Sequence, residues 1–290
     1  MTFEGLRCFC AVVELRSFRK AAEKVHRSQP AVSQQIKALE LEAGRALLER
    51  RQCRPTAAGA IVYERAQQIL QGIDGLSREL ADAGGAEQRE LRVGTSDTTA
   101  LYVLPSVLRR FTEAMPQTNV ILINRNSDEI ARLTAGGELD LGIVTLPQLQ
   151  HGLEVQPLFE QRLVLAVPAN SPLAKRRKLA LADLADTPML LLDRGTRTGQ
   201  KLYAYFAANH FTPRVILHSG SFEVVKRYVA EGIGVSFLPE ESLGEAEPRI
   251  VAAPLKGLPA IETGVIWRRG AYRTRAEAAF ISMLEPRERT

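Results

Sequence analysis

Ser28-Gln29-Pro30-Ala31-Val32-Ser33-Gln34-Gln35-Ile36-Lys37-Ala38-Leu39-Glu40 decides how the rest of the chain reads. Ser28 offers an oxygen to cap a helix, and Pro30 fits the first turn, where its missing backbone donor would be unpaired anyway. Val32, Ile36 and Leu39 fall on one helical face, with Ser33, Gln34 and Lys37 on the other. Upstream, Phe3, Leu6, Phe9 and Val13 recur at spacings of three and four, which predicts a helix over 2–14. Ser17 caps a second, short helix from Phe18 to Val25. Its inward Ala21, Ala22 and Val25 permit a close approach by another helix. His26-Arg27-Ser28 is the turn. Two short helices about a tight turn, the second opening on polar residues, make a helix-turn-helix.

The chemistry of that polar end suits duplex DNA. Gln29 and Gln34 can bond base edges, glutamine matching adenine bidentately, and Pro30 sits between them at the groove. Ser28 and Ser33 can reach phosphates or bases, whereas Lys37 contacts backbone without reading sequence. From Arg16 to Arg54 ten lysines and arginines stand against four acids, Glu23, Glu40, Glu42 and Glu49. Such a local surplus is the electrostatic footprint of a nucleic-acid surface; a solvated charged face is the alternative.

Ser28 to Glu40, with the Leu41-Glu42-Ala43-Gly44-Arg45-Ala46-Leu47-Leu48-Glu49-Arg50 that follows, resembles the recognition-helix signature of LysR-type transcriptional regulators. Ala43 stands where that family usually has leucine, and Leu48 where it has phenylalanine. Pro55-Thr56-Ala57-Ala58-Gly59 occupies the place of its leucine-threonine-x-alanine-glycine. Arg50 to Arg54 match its wing, shortened by a residue or so, and the resemblance implies that Arg50, Arg51 and Arg54 hold phosphates or a minor groove. It further implies a winged helix-turn-helix domain over 1–58, a linker and dimerisation helix with hinge over 59–86, and an effector-binding domain over 87–290. The partners implied are the double-stranded DNA of a promoter palindrome, a small-molecule effector, a second copy of the chain and, beyond the dimer, a homotetramer. RNA polymerase is a further candidate partner.

Residues 56–83 lack proline. Val62, Ala66, Ile69, Ile73, Leu76 and Leu80 are spaced 4, 3, 4, 3, 4, a heptad seam. The seam spans roughly 27 Å at the helical rise. It serves either a helix packed on its own domain, a reading that Gly72 and Gly75 favour, or a helix that pairs two copies. A helix-turn-helix that reads a palindrome needs a twin, which favours pairing. Ala83-Gly84-Gly85-Ala86 reads as a hinge.

Beyond Glu90 strands and helices alternate. Strands at 91–94, 120–123 and 139–144 around helices at 101–114 and from Ser127 give βαβαβ, a parallel-sheet pattern. A second such unit has strands at 162–167, 189–192 and 215–217, helices at 199–209 and 222–231, and a run through Gly232 to Pro239. A strand at 265–267 and a helix over 274–284 close the chain. The fold class is therefore α/β and multi-domain. The resemblance implies a two-lobed effector domain like that of periplasmic binding proteins, with lobe 1 over about 87–161 and 267–290 and lobe 2 over about 162–266.

Three hydroxyl-rich loops precede helices: Thr95-Ser96-Asp97-Thr98-Thr99, Gly195-Thr196-Arg197-Thr198 and Ser219-Gly220-Ser221. Helix N-termini favour an anionic group, and Arg197 can clamp a carboxylate or phosphate. Thr95, Ser96, Thr98, Thr99, Thr196, Arg197, Thr198, Ser219 and Ser221 are thus the candidate effector residues. Each loop taken singly could instead be a helix cap, with Thr98, Thr198 and Ser221 as the caps. Asp97 complicates an anion site, since a carboxylate there repels unless it points away.

Length and composition agree with two domains. The chain has 290 residues, 45% hydrophobic and 24% charged, a formal net charge of +5 and a pI near 9.2. Met1 to Gly5 has no basic and apolar leader pattern, and no apolar run reaches membrane-spanning length, so a cytoplasmic location is expected. Cys8, Cys10 and Cys53 are too few and too scattered for a disulfide framework or a zinc site. The four histidines lack metal-ligand spacing, and no phosphate-binding glycine loop or nucleophile elbow occurs. No catalytic residue, metal or cofactor is expected. The rival readings are a solute-binding protein, disfavoured by the basic first domain, and an enzyme.

Overall fold

The computed structural model describes residues 1–49, 51–83, 90–146, 152–243 and 248–284. Arg50 and the Gly84–Ala86 hinge expected from the sequence therefore lie outside the described residues. Chain contacts separate two units, one reaching to the end of a long helix and one holding the α/β portion.

In the first unit α1 (Phe3–Leu15) starts on Thr2, whose hydroxyl accepts from the Gly5 amide at 3.1 Å. Ser17 caps α2 (Phe18–Lys24) in the same manner, through Lys20 at 3.3 Å. The turn that follows is set by His26 at φ 54, a left-handed conformation uncommon outside glycine. Ser28 then caps α3 (Gln29–Ala43) through Ala31, and Gly44 ends it at φ 66. Phe9, Val12, Ala21, Val32, Ile36 and Leu39 close over one another in the core. Each large apolar side chain buried there contributes about 1.5–3 kcal/mol.

The wing is β1 (Leu48–Glu49) paired antiparallel with β2 (Arg54–Pro55). Its base is fixed by polar groups. One carboxylate oxygen of Glu40, near the end of α3, accepts from the Leu47 and Leu48 amides at 2.9 and 3.2 Å. Thr56 donates to the Ala46 carbonyl at 2.9 Å and accepts from the Gly59 amide at 3.0 Å, which caps α4 (Ala57–Ala83). A Cβ on Gly59 would lie 2.0 Å from the Leu47 carbonyl oxygen, so the crossing of α4 over the wing requires glycine. Those three contacts are what the Pro55–Gly59 segment is for.

The first turns of α4 complete the helix-turn-helix core through Val62, Tyr63 and Ala66. Farther along the same seam Ile69, Ile73, Leu76 and Leu80 are exposed. The heptad stripe is thus divided, its beginning spent inside the domain and its remainder uncovered.

The second unit opens with β3 (Glu90–Thr95), a π-helical turn over Thr99–Val103, α5 (Leu104–Ala114), β4 (Asn119–Asn124), α6 (Ser127–Ala135) and β5 (Leu141–Thr145). β3 pairs in parallel with both β4 and β5. β6 (Leu153–Pro168) follows, then β7 (Met189–Leu192), α7 (Arg197–Ala208), β8 (Val215–Ser219), α8 (Phe222–Ala230), β9 (Ser236–Pro239), β10 (Ile250–Ala253), β11 (Ala260–Arg268) and α9 (Arg275–Leu284). β7 and β8 are parallel, and β9 and β10 both run antiparallel to the C-terminal end of β6.

Two long antiparallel strands, β6 and β11, carry the chain between the lobes. Thr263–Ile266 of β11 already pair with β5 of the first lobe, so the return crossing comes a few residues before position 266. Each lobe has its own core. Phe111 meets Phe280 edge-on at 5.2 Å in the first, and Phe206 packs on Phe237 at 5.4 Å in the second. Tyr203 and Tyr205 flank Phe206 as packing groups.

Candidate nucleic-acid interface and inter-lobe cavity

The capped N-terminus of α3 and the wing belong to one unit and form the first candidate site. Val32, Ile36 and Leu39 are buried, which leaves Gln29, Pro30, Gln34 and Lys37 exposed and Ser33 half-buried. Among the described residues the side chains of Gln29, Gln34 and Lys37 make no hydrogen bond or ion pair. Ser28 is exposed, but its oxygen already receives the Ala31 amide at 3.3 Å, so its first duty is to the helix. Arg51 and Arg54 are exposed on the wing. Other cations of the segment are partly spent: Lys24 pairs with Glu14 at 2.9 Å and Arg27 with Glu4 at 3.1 Å.

The second site is a cavity of about 880 Å³ between the lobes of the α/β unit. All three hydroxyl-rich loops reach it. Ser96, Asp97, Thr98, Thr196, Arg197, Thr198, Ser219 and Ser221 line its wall. Thr95 and Thr99 do not; both are buried behind it. The second loop's cap is Thr196, which accepts from the Gly199 amide at 3.0 Å, and not Thr198. Neither Thr98 nor Ser221 makes a side-chain cap bond.

Arg197 differs most from expectation. Its guanidinium is paired with Asp128, reaching from α7 of one lobe to α6 of the other. A second tie joins the lobes close by. The Tyr102 hydroxyl donates to Glu223 at 2.6 Å, and the Lys226 ammonium bonds both that hydroxyl and Glu223, the latter at 3.0 Å. Burial, then the bond to Glu223, holds the Tyr102 phenol above its ordinary pKa. Burial works to lower Lys226, yet its bonds to Tyr102 and Glu223 prevail and raise it, so the ammonium stays charged.

Several lining residues escaped the sequence reading: Asn124, Arg125, Asn126, Ser127, Glu129, Thr145, Gln161 and Phe222. Asn126 caps α6 through the Glu129 amide at 2.9 Å, and Ser127 accepts from Thr145 at 3.1 Å. A cap one residue ahead of Ser127 was the available signal for that corner; none marked Gln161, a lone polar residue within a strand. Asp97 receives the side-chain amide of Asn124. Thr95 Oγ1, Thr98 Oγ1 and Gln161 Nε2 are buried with no hydrogen-bond partner among the described residues.

Comparison with known proteins matches both units. The model described as "Bacterial regulatory helix-turn-helix protein, lysR family" covers residues 3–60, and that of the LysR substrate binding domain covers residues 84–289. The HTH-type transcriptional regulator CysL of Bacillus subtilis is 31% identical over 245 residues, 84% of this chain and 82% of the relative. A full-length OxyR variant from Pseudomonas aeruginosa superposes with a TM-score of 0.75 at 28% identity, over 98% of this chain and 94% of its own. Full-length CbnR, solved in complex with its target DNA, gives a TM-score of 0.59 at 26% identity, over 98% of this chain and 99% of its own. Among the described residues no helix is long and apolar enough to cross a membrane.

Proposed function

Because the chain belongs to the LysR family of DNA-binding transcription regulators with an effector-binding domain, we propose that it reads a promoter palindrome as a homo-oligomer and adjusts that binding to a small polar effector held between its lobes. The observation that carries the DNA half is the uncovered, unpaired face of α3, with Gln29, Pro30, Gln34 and Lys37 outward over a fully formed core. Those residues with Ser33 read or hold the major groove, and Arg51 and Arg54 of the wing hold phosphates or the minor groove. Ser28 orders the helix end and lends the phosphate its exposed hydroxyl. The pairing surface is the second half of α4, where Ile69, Ile73, Leu76 and Leu80 await the same residues of another copy. Dimers then join as a tetramer. A DNA target places the protein in the cytoplasm, with RNA polymerase as a downstream partner.

The effector enters the cavity and biases the assembly by its differential affinity for two lobe arrangements. Orphaned Thr98 and Gln161 support a ligand with acceptor oxygens. All three cysteines fall within the first 53 residues, so a thiol-based sensor within the effector domain is excluded by composition. Duplexes captured from a random-sequence pool by the full chain test the proposal. Enrichment of an interrupted palindrome, with affinity falling steeply as salt rises, is the expected result. Failure to enrich any sequence in dilute buffer would sink it.

A further inference from the structure

The charges around the inter-lobe cavity do not suit a simple anion. Among the described residues two cations line it, and both are engaged: Arg125 by Glu129 at 3.4 Å, Arg197 by Asp128. Two other lining carboxylates meet only neutral donors among the described residues. Asp97 receives the Asn124 amide and Asp193 the Gly195 backbone N–H at 2.7 Å. A half-buried carboxylate without a cation is costly, and Asp97 is half-buried.

Beside this surplus of negative charge stand donors with nothing to bond. Thr98 and Gln161 are 2% and 6% exposed, line the cavity, and keep Oγ1 and Nε2 unpartnered. Ser221 begins α8 without a side-chain cap; the Ser219 hydroxyl takes the Ser221 amide at 3.1 Å, and no side chain among the described residues takes the amides of the first helical turn beyond it. An anionic group satisfies these donors, and a cationic group satisfies Asp97, the chain neighbour of Thr98. Among the lining residues only Leu192 and Phe222 offer large apolar side chains, which disfavours a flat aromatic acid.

Resting on the reading of this cavity as the effector site, we propose that the ligand is a zwitterion of the α-amino-acid type. Its carboxylate is held by Thr98, Gln161 and the first turn of α8, and its ammonium by Asp97. Both ligand charges leave one carbon, which suits receptor groups that are adjacent in the chain. The carboxylate that would repel a simple anion becomes the group that selects for the amine.

Thermal unfolding of the full chain in the presence of the twenty standard L-amino acids, and of matching des-amino acids such as propionate, succinate and glutarate, tests this. At least one amino acid should raise the Tm. Its des-amino analogue should bind at least about tenfold more weakly, the cost of an unpaired buried charge, and Asp97→Asn should abolish that preference. The proposal is overturned by equal binding of the analogue, by a preference that survives Asp97→Asn, or by no shift from any of the twenty. A des-amino acid whose binding is lost in Thr98→Val/Gln161→Leu would overturn the ligand class alone. Binding that survives this double substitution would overturn the effector site as well.

Discussion

Gln34 and Lys37 stand one turn apart on the exposed face of α3, yet they differ in what they can tell DNA. An amide can bond two atoms of one base edge, whereas an ammonium meets any phosphate alike. Gln34→Ala should therefore cost about 1–3 kcal/mol of discrimination at one base position and little on unrelated duplexes. Titrating a set of single-base operator variants checks this, and an equal loss on every duplex would refute direct readout. Cys10 is a residue of the opposite kind, silent until the solution turns alkaline. Burial, then the Glu14 carboxylate, pushes its thiol from 9.0 up to about 12, with Lys24 pulling the other way. The folded chain thus keeps a proton that the unfolded chain releases above pH 9, so stability is intact below that pH and declines between 9 and about 12. Tyr63, raised by burial and Glu14, adds to the same decline above 10. Urea midpoints measured against pH should fall less steeply in Cys10→Ala than in the parent; parallel alkaline limbs would remove Cys10 from the account.

α4 shows how one element can serve two masters along a single seam. Its first turns are held by Thr56, Gly59 and the helix-turn-helix core, while Ile69, Ile73, Leu76 and Leu80 stay 43–65% exposed and join none of the core clusters among the described residues. Leu76→Glu should leave the fold intact, because that side chain is 55% exposed, and should shift the oligomer toward monomer. Light scattering on the eluting protein reads both; an unchanged mass would move the pairing surface elsewhere. Helical spacing made α1 to α4 legible because each buries an apolar stripe at the period the residues declare. Strands were less open. β6 begins at Leu153, well ahead of the expected 162, since Pro157 reads as a breaker in sequence but sits where the β11 register shifts beside Gly264. β10 escaped altogether: Ile250–Ala253 are buried only at their two ends, so the strand shows neither the continuous burial of β7 nor an alternation. The π-helical turn at Thr99–Val103 has no sequence signal, since it differs from α-helix only in which carbonyl each amide meets.

At the scale of the α/β unit the question is what holds two lobes in register when, among the described residues, β6 and β11 are the strands that run between them. The hydroxyl-rich loops were legible because each precedes a helix. Asp128–Arg197 and Tyr102–Glu223–Lys226 were not, since pairs 69 and 121 residues apart carry no mark in the chain. Tyr102 is the informative member. Removing its hydroxyl leaves Glu223 and Lys226 bonded to each other on α8 at 3.0 Å, so the helix keeps its own pairing and only the tie between lobes is lost. A hydrogen bond to a charged group is worth about 1.5–3 kcal/mol, enough to change the open fraction roughly ten- to a hundredfold. Tyr102→Phe should therefore speed amide exchange in the first turn of α8 and around Thr98 by that order, with exchange in the helix-turn-helix unchanged. If exchange on both sides of the cavity stays at the parent's rate, the tie does not govern closure, and the two strands with Asp128–Arg197 suffice to set it.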